Sequence, residues 1–339
     1  MGLNDFMVEM LPELEDALKE SVFEDIPETY PGIRNMLAYH LGWEGEGSGT
    51  AAQGKRIRPI IVLLSAAMYG ADWRKVLPAA VAVEMLHNFS LIHDDIEDAS
   101  ETRRGRLTVW KIWGVPQAIN SGDAMFTLAH LNMLKLSGKI GLQVGMDSAL
   151  LLNKTCVDLT GGQYLDMSFE KRSDVNRDEY FTMIGGKTAS LISTCAELGA
   201  ITSQTSMSNQ LAMRSYGEAL GIAFQAWDDW LGIWGNEKIT GKSNSSDLKA
   251  GKKSLPILFG LEKESRFAQA YNHFSVIPEE KIPELVRFLE DEGAKTYTEK
   301  IASHYSELAN RSLGSVEVND QAAFGALKEL TSTLLSRAK

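Results

Sequence analysis

An all-α fold, a single domain built as a bundle of long helices, is what this sequence predicts, and three observations predict it. Apolar side chains recur at helical spacing almost throughout. No series of alternating apolar and polar residues reads as a set of strands. No linker, low-complexity run or short fixed repeat divides the 339 residues, so residues 1–339 are expected to share one large core. Apolar residues make up 44% and charged residues 23% of the chain, as in a globular protein with a sizeable interior.

Taken in order, helices are expected over 4–24, 27–41, 56–69, 72–98, 109–137, 141–170, 177–184, 187–203 and 208–234, then over 256–264, 279–292, 294–313 and 320–337. The stretch 42–54 holds five glycines and reads as a loop that delivers Lys55 and Arg56 to the next helix, where Pro59 suits a helix start. The long stretch 72–98 is interrupted once, at Pro78, and Val83, Leu86, Leu91 and Asp94 follow helical spacing. On such a helix His87, Asp94 and Asp98 fall nearly in one line, with the carboxylates one turn apart. Later, 208–234 ends in a second acidic pair, Asp228 and Asp229, with Gln225 one turn before Asp228 on the same side. Trp227, Trp230 and Trp234 share that helix and read as packing residues. The stretch 235–253 is rich in Gly, Ser, Asn and Lys and reads as a second loop. In 294–313, Tyr297, Ile301, Tyr305 and Leu308 recur as ordinary core positions.

Carboxylates at the C-terminal end of a helix face the negative end of its dipole, which costs each about 0.3–1 kcal/mol, and they repel one another. A bound cation removes both penalties. Aspartate oxygens suit magnesium, which keeps several waters and takes one or two carboxylates plus substrate phosphates. Arg103 and Arg104 follow Asp98 within six residues, and acid and base so close together point to metal-bridged diphosphate chemistry. A solvated acidic helix end is the plain alternative for one motif alone. Two long helices that both end in paired aspartates, if packed side by side, would clamp a diphosphate through metal ions.

Composition narrows the other classes. A net charge of −11 argues against general nucleic-acid binding, which needs a basic surface. Cys156 and Cys195 show no disulfide or zinc spacing and are expected to be buried, reduced thiols. No apolar run reaches the length of an uncharged membrane span, and residues 1–6 show neither a signal peptide nor a myristoylation motif, Phe6 standing where Ser or Thr would be wanted. A cytoplasmic protein is expected. A phosphohydrolase centred on His93 and Asp94 is disfavoured, because the six histidines form no ligand set.

From about residue 54 to 256 the order of motifs resembles the trans-isoprenyl diphosphate synthases, the polyprenyl synthetase family. The residues that carry the resemblance are Gly54, Lys55, Arg56, Ile57, Arg58 and Pro59; Asp94, Asp95, Ile96, Glu97 and Asp98; Arg103, Arg104 and Gly105; Gly162, Gln163 and Asp166; Gly186, Lys187 and Thr188; Gln225, Asp228 and Asp229; and Gly241, Lys242, Asp247, Gly251, Lys252, Leu255 and Pro256. The resemblance implies the isoprenoid synthase fold, helices around a central apolar cavity, and a homodimer. It implies magnesium, three ions per site, on Asp94, Asp95, Asp98, Asp228 and Asp229. An allylic diphosphate would meet Arg103, Lys187, Lys242 and Lys252, while Lys187, Thr188 and Gln225 would act on the reacting carbon. Isopentenyl diphosphate would be held by Lys55, Arg58, His87 and Arg104.

One position departs from the pattern: Gly232 stands where the family places a third aspartate. Product length would depend on Phe89 and Ser90 below Asp94. An aromatic followed by a small residue resembles synthases of geranylgeranyl diphosphate, with farnesyl diphosphate the second expectation. The rival readings are a terpene cyclase of the same fold, which needs no second diphosphate site, and an inactive partner of another synthase.

Overall fold

Helices form where apolar residues line one face, and the first does so at four-residue steps. Phe6, Met10, Leu14, Leu18 and Val22 are all buried along α1 (Leu3–Asp25), whose start is tied by the Gly2 N–H donating to Asp5 Oδ2 at 2.8 Å. The computed structural model describes residues 1–170, 172–235, 245–262, 265–274 and 277–336. After α1 come α2 (Pro31–His40), α3 (Thr50–Gln53), α4 (Ile57–Met68), α5 (Leu77–Glu97), α6 (Val109–Trp113), α7 (Val115–Ile140) and α8 (Leu142–Phe169). Beyond them lie α9 (Arg177–Ile184), α10 (Ser190–Thr202), α11 (Met207–Trp234), α12 (Ser246–Ala250), α13 (Leu255–Leu261), α14 (Arg266–Tyr271), α15 (Ile282–Asp291), α16 (Ala294–Gly314) and α17 (Gln321–Leu335).

These elements group into two compact units, each assembled from three stretches of chain: Met1–Asn153, Cys195–Gln210 and Glu317–Leu327 make the first, and Lys154–Thr194, Leu211–Val316 and Lys328–Lys339 the second. In the first unit α4 is buried almost all round, with Ile60, Ile61, Leu63 and Leu64 excluded from solvent. Its C-terminal carbonyls are capped from far along the chain. Asn319 and Asp320 donate backbone N–H groups to the Met68 carbonyl at 2.9 Å, and Asn319 Nδ2 donates to Tyr69 O at 2.8 Å. Helices α5 and α7 pack closely because residue 122 is glycine; any Cβ there would fall on the His93 ring. The stretch Trp73–Glu97 is long and apolar enough to cross a membrane, but 61% of its apolar 18-residue window is buried inside the protein, as expected of a core helix.

Two apolar clusters lie in the second unit. Phe169, Tyr180, Met183, Trp227 and Leu258 anchor one, against which Tyr297, Ile301 and Tyr305 pack; Phe267, Tyr271, Leu285 and Leu289 anchor the other.

Several boundaries differ from the sequence expectation for local reasons. Pro78 does not interrupt a helix. It sits in the first turn of α5, where its missing N–H costs nothing, and 73–76 is a short 3-10 turn. The stretch 109–137 is two helices, broken by Gly114 at φ +83° with Pro116 starting α7. A two-residue hairpin, β1 (Thr102–Arg103) with β2 (Arg106–Leu107), turns through Arg104 and Gly105, both with positive φ. The start expected at 187 is a π-helical turn over Gly185–Ala189 that joins α9 to α10.

Candidate active site

In the first unit α5 runs into its acidic motif. The Asp98 N–H donates to the Asp94 carbonyl at 2.8 Å, so Asp98 is the C-cap and stands one turn beyond Asp94. Asp98 is exposed and Asp94 half-buried. Asp95 is different: it is 2% exposed, and both its oxygens accept from Arg103 Nε at 2.9 and 3.0 Å, with Arg103 Nη2 at 2.8 Å. Burial pushes the Asp95 carboxyl up from the usual range, while Arg103 pulls it down. The hairpin brings Arg103 to this place, and so the arginine motif is locked to the acidic one.

The basic residues gather in the same unit. Arg58 Nη1 lies 3.1 Å from His87 Nε2. A guanidinium only donates, so Nε2 accepts and the ring proton sits on Nδ1. Desolvation, then the charges of Arg58, Arg104 and Arg103, hold the His87 pKa well below its ordinary value. The imidazole is therefore neutral at pH 7. Arg104 Nη1 donates to the carbonyls of Ala52 and Gln53 at 2.9 and 3.0 Å; Gly54, at φ +81°, leaves room for it, since a Cβ there would lie 2.8 Å from the Arg104 Cζ. Burial lowers the pKa of Arg58 and of Arg104, and for Arg104 the neighbouring guanidiniums add to it. Arg58 Nε is buried with no partner among the described residues, a donor suited to an anion. Of the four residues expected to hold isopentenyl diphosphate, Arg58, His87 and Arg104 thus share one electropositive neighbourhood. Lys55, the fourth, is exposed at the head of the same segment.

Two residues outside those expected hold this region together. Arg56, 4% exposed and at φ +48°, donates to Glu15 at 2.6 Å, Glu84 at 2.7 Å and the Leu41 carbonyl at 3.2 Å. Arg106 stacks on Tyr39 with its Cζ 3.8 Å from the ring centroid and donates to the carbonyls of Tyr39, Glu44 and Glu46 at 2.7, 2.6 and 2.9 Å. The glycine-rich loop is thereby ordered by a side chain of β2.

In the second unit an Asn176–Glu179 capping box begins α9 and sets Tyr180 on its buried face, an arrangement worth about 1 kcal/mol. The Tyr180 hydroxyl donates to Asp229 Oδ2 at 2.6 Å, the Leu255 N–H donates to the same oxygen at 2.8 Å, and Gln225 Nε2 donates to Oδ1 at 2.9 Å. Burial, with the nearby Asp247 charge, pushes the Asp229 carboxyl up to about 7. With Nε2 committed, Gln225 Oε1 accepts from Thr188 Oγ1 at 2.9 Å. Lys187 Nζ donates to Asp166 Oδ2 at 2.5 Å. The π turn that carries Lys187 and Thr188 touches α8 through two glycines: a Cβ on Gly186 would lie 2.5 Å from the Asp158 carbonyl, and one on Gly162 would strike the Lys187 backbone. Asp228 is half-buried. The Lys252 N–H donates to the Asp247 carbonyl at 3.0 Å, while Lys242 lies outside the described residues.

Below Asp94, the Phe89 ring lies 4.7 Å from His93 and 4.9 Å from Phe126, and Phe126 lies 4.4 Å from His130. Ser90 Oγ folds back on the His87 carbonyl at 2.8 Å. Phe126 and His130 continue the series of ring contacts that Phe89 begins. Their four-residue spacing is visible in the sequence, but which face of α7 meets α5 is not. Among the described residues no three of His, Cys, Asp and Glu converge into a protein-only metal cage.

The family profile described as polyprenyl synthetase matches residues 48–288. A geranylgeranyl pyrophosphate synthase of Geoglobus acetivorans is 37% identical over 330 residues, 97% of this chain and 98% of that protein. A (2E,6E)-farnesyl diphosphate synthase of Mycobacterium bovis is 43% identical over 229 residues, 67% of this chain; the match spans 63% of that relative's length. Among solved structures, the crystal structure of geranylgeranyl pyrophosphate synthetase from Pyrococcus horikoshii superposes with a TM-score of 0.85 at 33% identity, covering 95% of each chain.

Proposed function

We propose that this chain, which belongs to the polyprenyl synthetase family and has its all-α isoprenoid synthase fold, is a short-chain trans-prenyltransferase. It condenses isopentenyl diphosphate with dimethylallyl, geranyl or farnesyl diphosphate and releases geranylgeranyl diphosphate. The observation that carries this reading is the gathering of Arg58 and Arg104 around a neutral His87. An enzyme that acts on one diphosphate, as a cyclase does, has no use for this second cationic site.

The carboxylates of Asp94, Asp98 and Asp228 are hard oxygen donors at helix ends and fit magnesium, with Asp95 and Asp229 completing the two acidic motifs from the positions where Arg103 and Tyr180 hold them. Those carboxylates would hold magnesium, three ions per site in this proposal, whose charge would neutralise the allylic diphosphate and make it a better leaving group. Arg103, Lys187, Lys242 and Lys252 add positive charge. That charge favours the transition state, because negative charge grows on the leaving diphosphate as the carbon–oxygen bond breaks. Thr188 Oγ1, Gln225 Oε1 and the Lys187 carbonyl face the developing carbocation with oxygen lone pairs; the hydrogen bonds on Gln225 fix which end of its amide is presented. Lys55, Arg58, His87 and Arg104 hold isopentenyl diphosphate with its double bond toward the cation. Proton loss to the departing diphosphate completes the trans double bond.

Phe89, with Ser90 small beside it, sets the depth for the growing tail and favours the geranylgeranyl product. Farnesyl diphosphate is the second reading, favoured by the name of the 43% identical mycobacterial relative. A homodimer is supported by exposed apolar side chains in the first unit, Leu131 and Leu134 on α7 and Leu142, Met146 and Leu150 on α8. A cytoplasmic site of action is supported by the two buried, unbridged cysteines.

The test is labelled isopentenyl diphosphate with each allylic diphosphate in turn, with and without magnesium, and chromatography of the products. A twenty-carbon product formed only with magnesium is expected. Absence of any magnesium-dependent condensation, or release of a hydrocarbon from geranylgeranyl diphosphate alone, would overturn the reading.

A further inference from the structure

We propose that Arg106 is a positioning residue for isopentenyl diphosphate, which acts by pinning the glycine-rich loop 42–54 onto the arginine hairpin and so fixing Arg104 and Lys55. The assignment rests on the proposed condensation, because it concerns the second diphosphate of that reaction. Arg106 lies across the hairpin from Arg103, its partner in the strand register, and is 9% exposed. Its Nη1 donates to the Tyr39 carbonyl, Nη2 to that of Glu44 and Nε to that of Glu46, while the guanidinium lies over the Tyr39 ring. The Tyr39 hydroxyl returns to the hairpin, donating to the Leu107 carbonyl at 2.8 Å. With all three nitrogens committed to the main chain, Arg106 acts through other groups.

The pinned loop reaches Arg104 at its far end. Gly45, at φ +83°, closes on the staple: a Cβ there would lie 2.7 Å from Tyr39 Cδ2 and 3.0 Å from Arg106 Nη2. At Gly42 the start of the loop meets its end, since a Cβ would lie 2.6 Å from the Gln53 nitrogen and 2.7 Å from the Ala52 carbonyl carbon, and the Gly49 N–H donates to the Gly42 carbonyl at 2.9 Å. Ala52 and Gln53 are the residues whose carbonyls accept from Arg104 Nη1. Past Gly54 the same segment presents Lys55. One side chain of β2 thus holds the platform from which Arg104 and Lys55 are set. The manner of attachment matters as well. Arg56 and Arg103 are held by carboxylates, Glu15 and Glu84 for the first and Asp95 for the second, which offset their charge. Arg106 is held by carbonyl dipoles, and among the described residues no carboxylate pairs with it. A staple of this kind orders the loop without adding negative charge beside a site that receives an anion.

The experiment uses the full chain, with isopentenyl diphosphate binding read by calorimetry and kcat and the KM of each substrate read in the condensation. Arg106→Met keeps the length of the side chain and removes its donors. It is expected to weaken isopentenyl diphosphate binding about 10-fold and to raise its KM by the same factor, the scale of one misaligned charge-assisted hydrogen bond. The allylic KM and kcat at saturation are expected to stay within about 2-fold, the signature of lost ground-state binding of one substrate. Arg106→Lys, which keeps the charge but not the fork, is expected to fall between. Gly45→Ala disturbs the same staple from the loop side and is expected to weaken isopentenyl diphosphate selectively too, so it carries the test should Arg106→Met fail to fold. Wild-type affinity for isopentenyl diphosphate in folded Arg106→Met overturns the assignment, as does an equal loss for both substrates. If the variant melts lower with both KM values unchanged, Arg106 is only structural and the assignment fails. A wild-type chain that neither binds isopentenyl diphosphate nor condenses it would sink the proposed function itself, a result distinct from those.

Discussion

His87 shows how a single side chain can be silent in charge and still shape a site. Its folded pKa is held well below the ordinary value, whereas in the unfolded chain it titrates near the ordinary 6.5 of a histidine. Below that pH the unfolded state takes up a proton that the folded state refuses, so this contribution to stability is intact above about 6.5 and is lost as pH falls. His40, also depressed by burial and by Arg104, acts in the same direction. The melting temperature should therefore drop between pH 7 and pH 5, and His87→Gln, whose amide oxygen can still accept from Arg58, should make the drop shallower in scanning calorimetry. Equal slopes in the two proteins would count against a neutral His87. Arg103→Ala leaves the buried Asp95 carboxylate without its guanidinium; since Arg103 is itself partly exposed, the loss is expected at about 2 kcal/mol rather than the 3–5 of a fully buried pair. Adding Asp95→Asn to that variant should recover part of the loss in a denaturant melt. Spacing alone placed His87, Asp94 and Asp98 on one line. It could not reveal that Asp95 is held by Arg103 or that Arg106 lies over Tyr39, because both contacts depend on how a short hairpin folds back.

Among the elements, the π-helical turn over Gly185–Ala189 is the most demanding. It aims Lys187 and Thr188, and it lies against α8 only because residues 162 and 186 lack a Cβ. Gly162→Ala should push the Lys187 backbone away and lower kcat on the order of 100-fold, the loss that ångström-scale misplacement can bring, with a smaller change in KM for isopentenyl diphosphate. A kcat unchanged in steady-state assays would show that the turn tolerates the shift. For the ring contacts of α5 and α7, Phe89→Ala should lengthen the product by at least one isoprene unit, and Ser90→Phe should shorten it to farnesyl diphosphate, both read by chromatography. An unchanged product from Phe89→Ala would move the ruler elsewhere. The long helices were legible because their apolar positions repeat over many turns, as in α1 and α16. The breaks were less so: Pro78 starts α5 instead of interrupting it, and Gly114 with Pro116 splits one expected helix in two, because the same residue types punctuate a chain in either way.

For the whole molecule, the two units interleave along the chain; four of their boundaries fall inside α8, α10, α11 and α17, and another lies between α16 and α17. One domain is therefore expected, with a single cooperative calorimetric transition; two resolved transitions would refute that. The exposed apolar side chains on α7 and α8 lead to a second expectation, that Leu134→Glu with Leu150→Glu yields monomers in sedimentation. The capping of Met68 and Tyr69 by Asn319 and Asp320 carries a different implication. The residues that close the end of α4 leave the ribosome 250 positions after it, roughly 12 to 50 s later at about 5–20 residues per second. Throughout that interval a nascent chain holds an apolar helix with its Met68 and Tyr69 carbonyls open, an incomplete state exposed to chaperones until residues 319 and 320 have emerged.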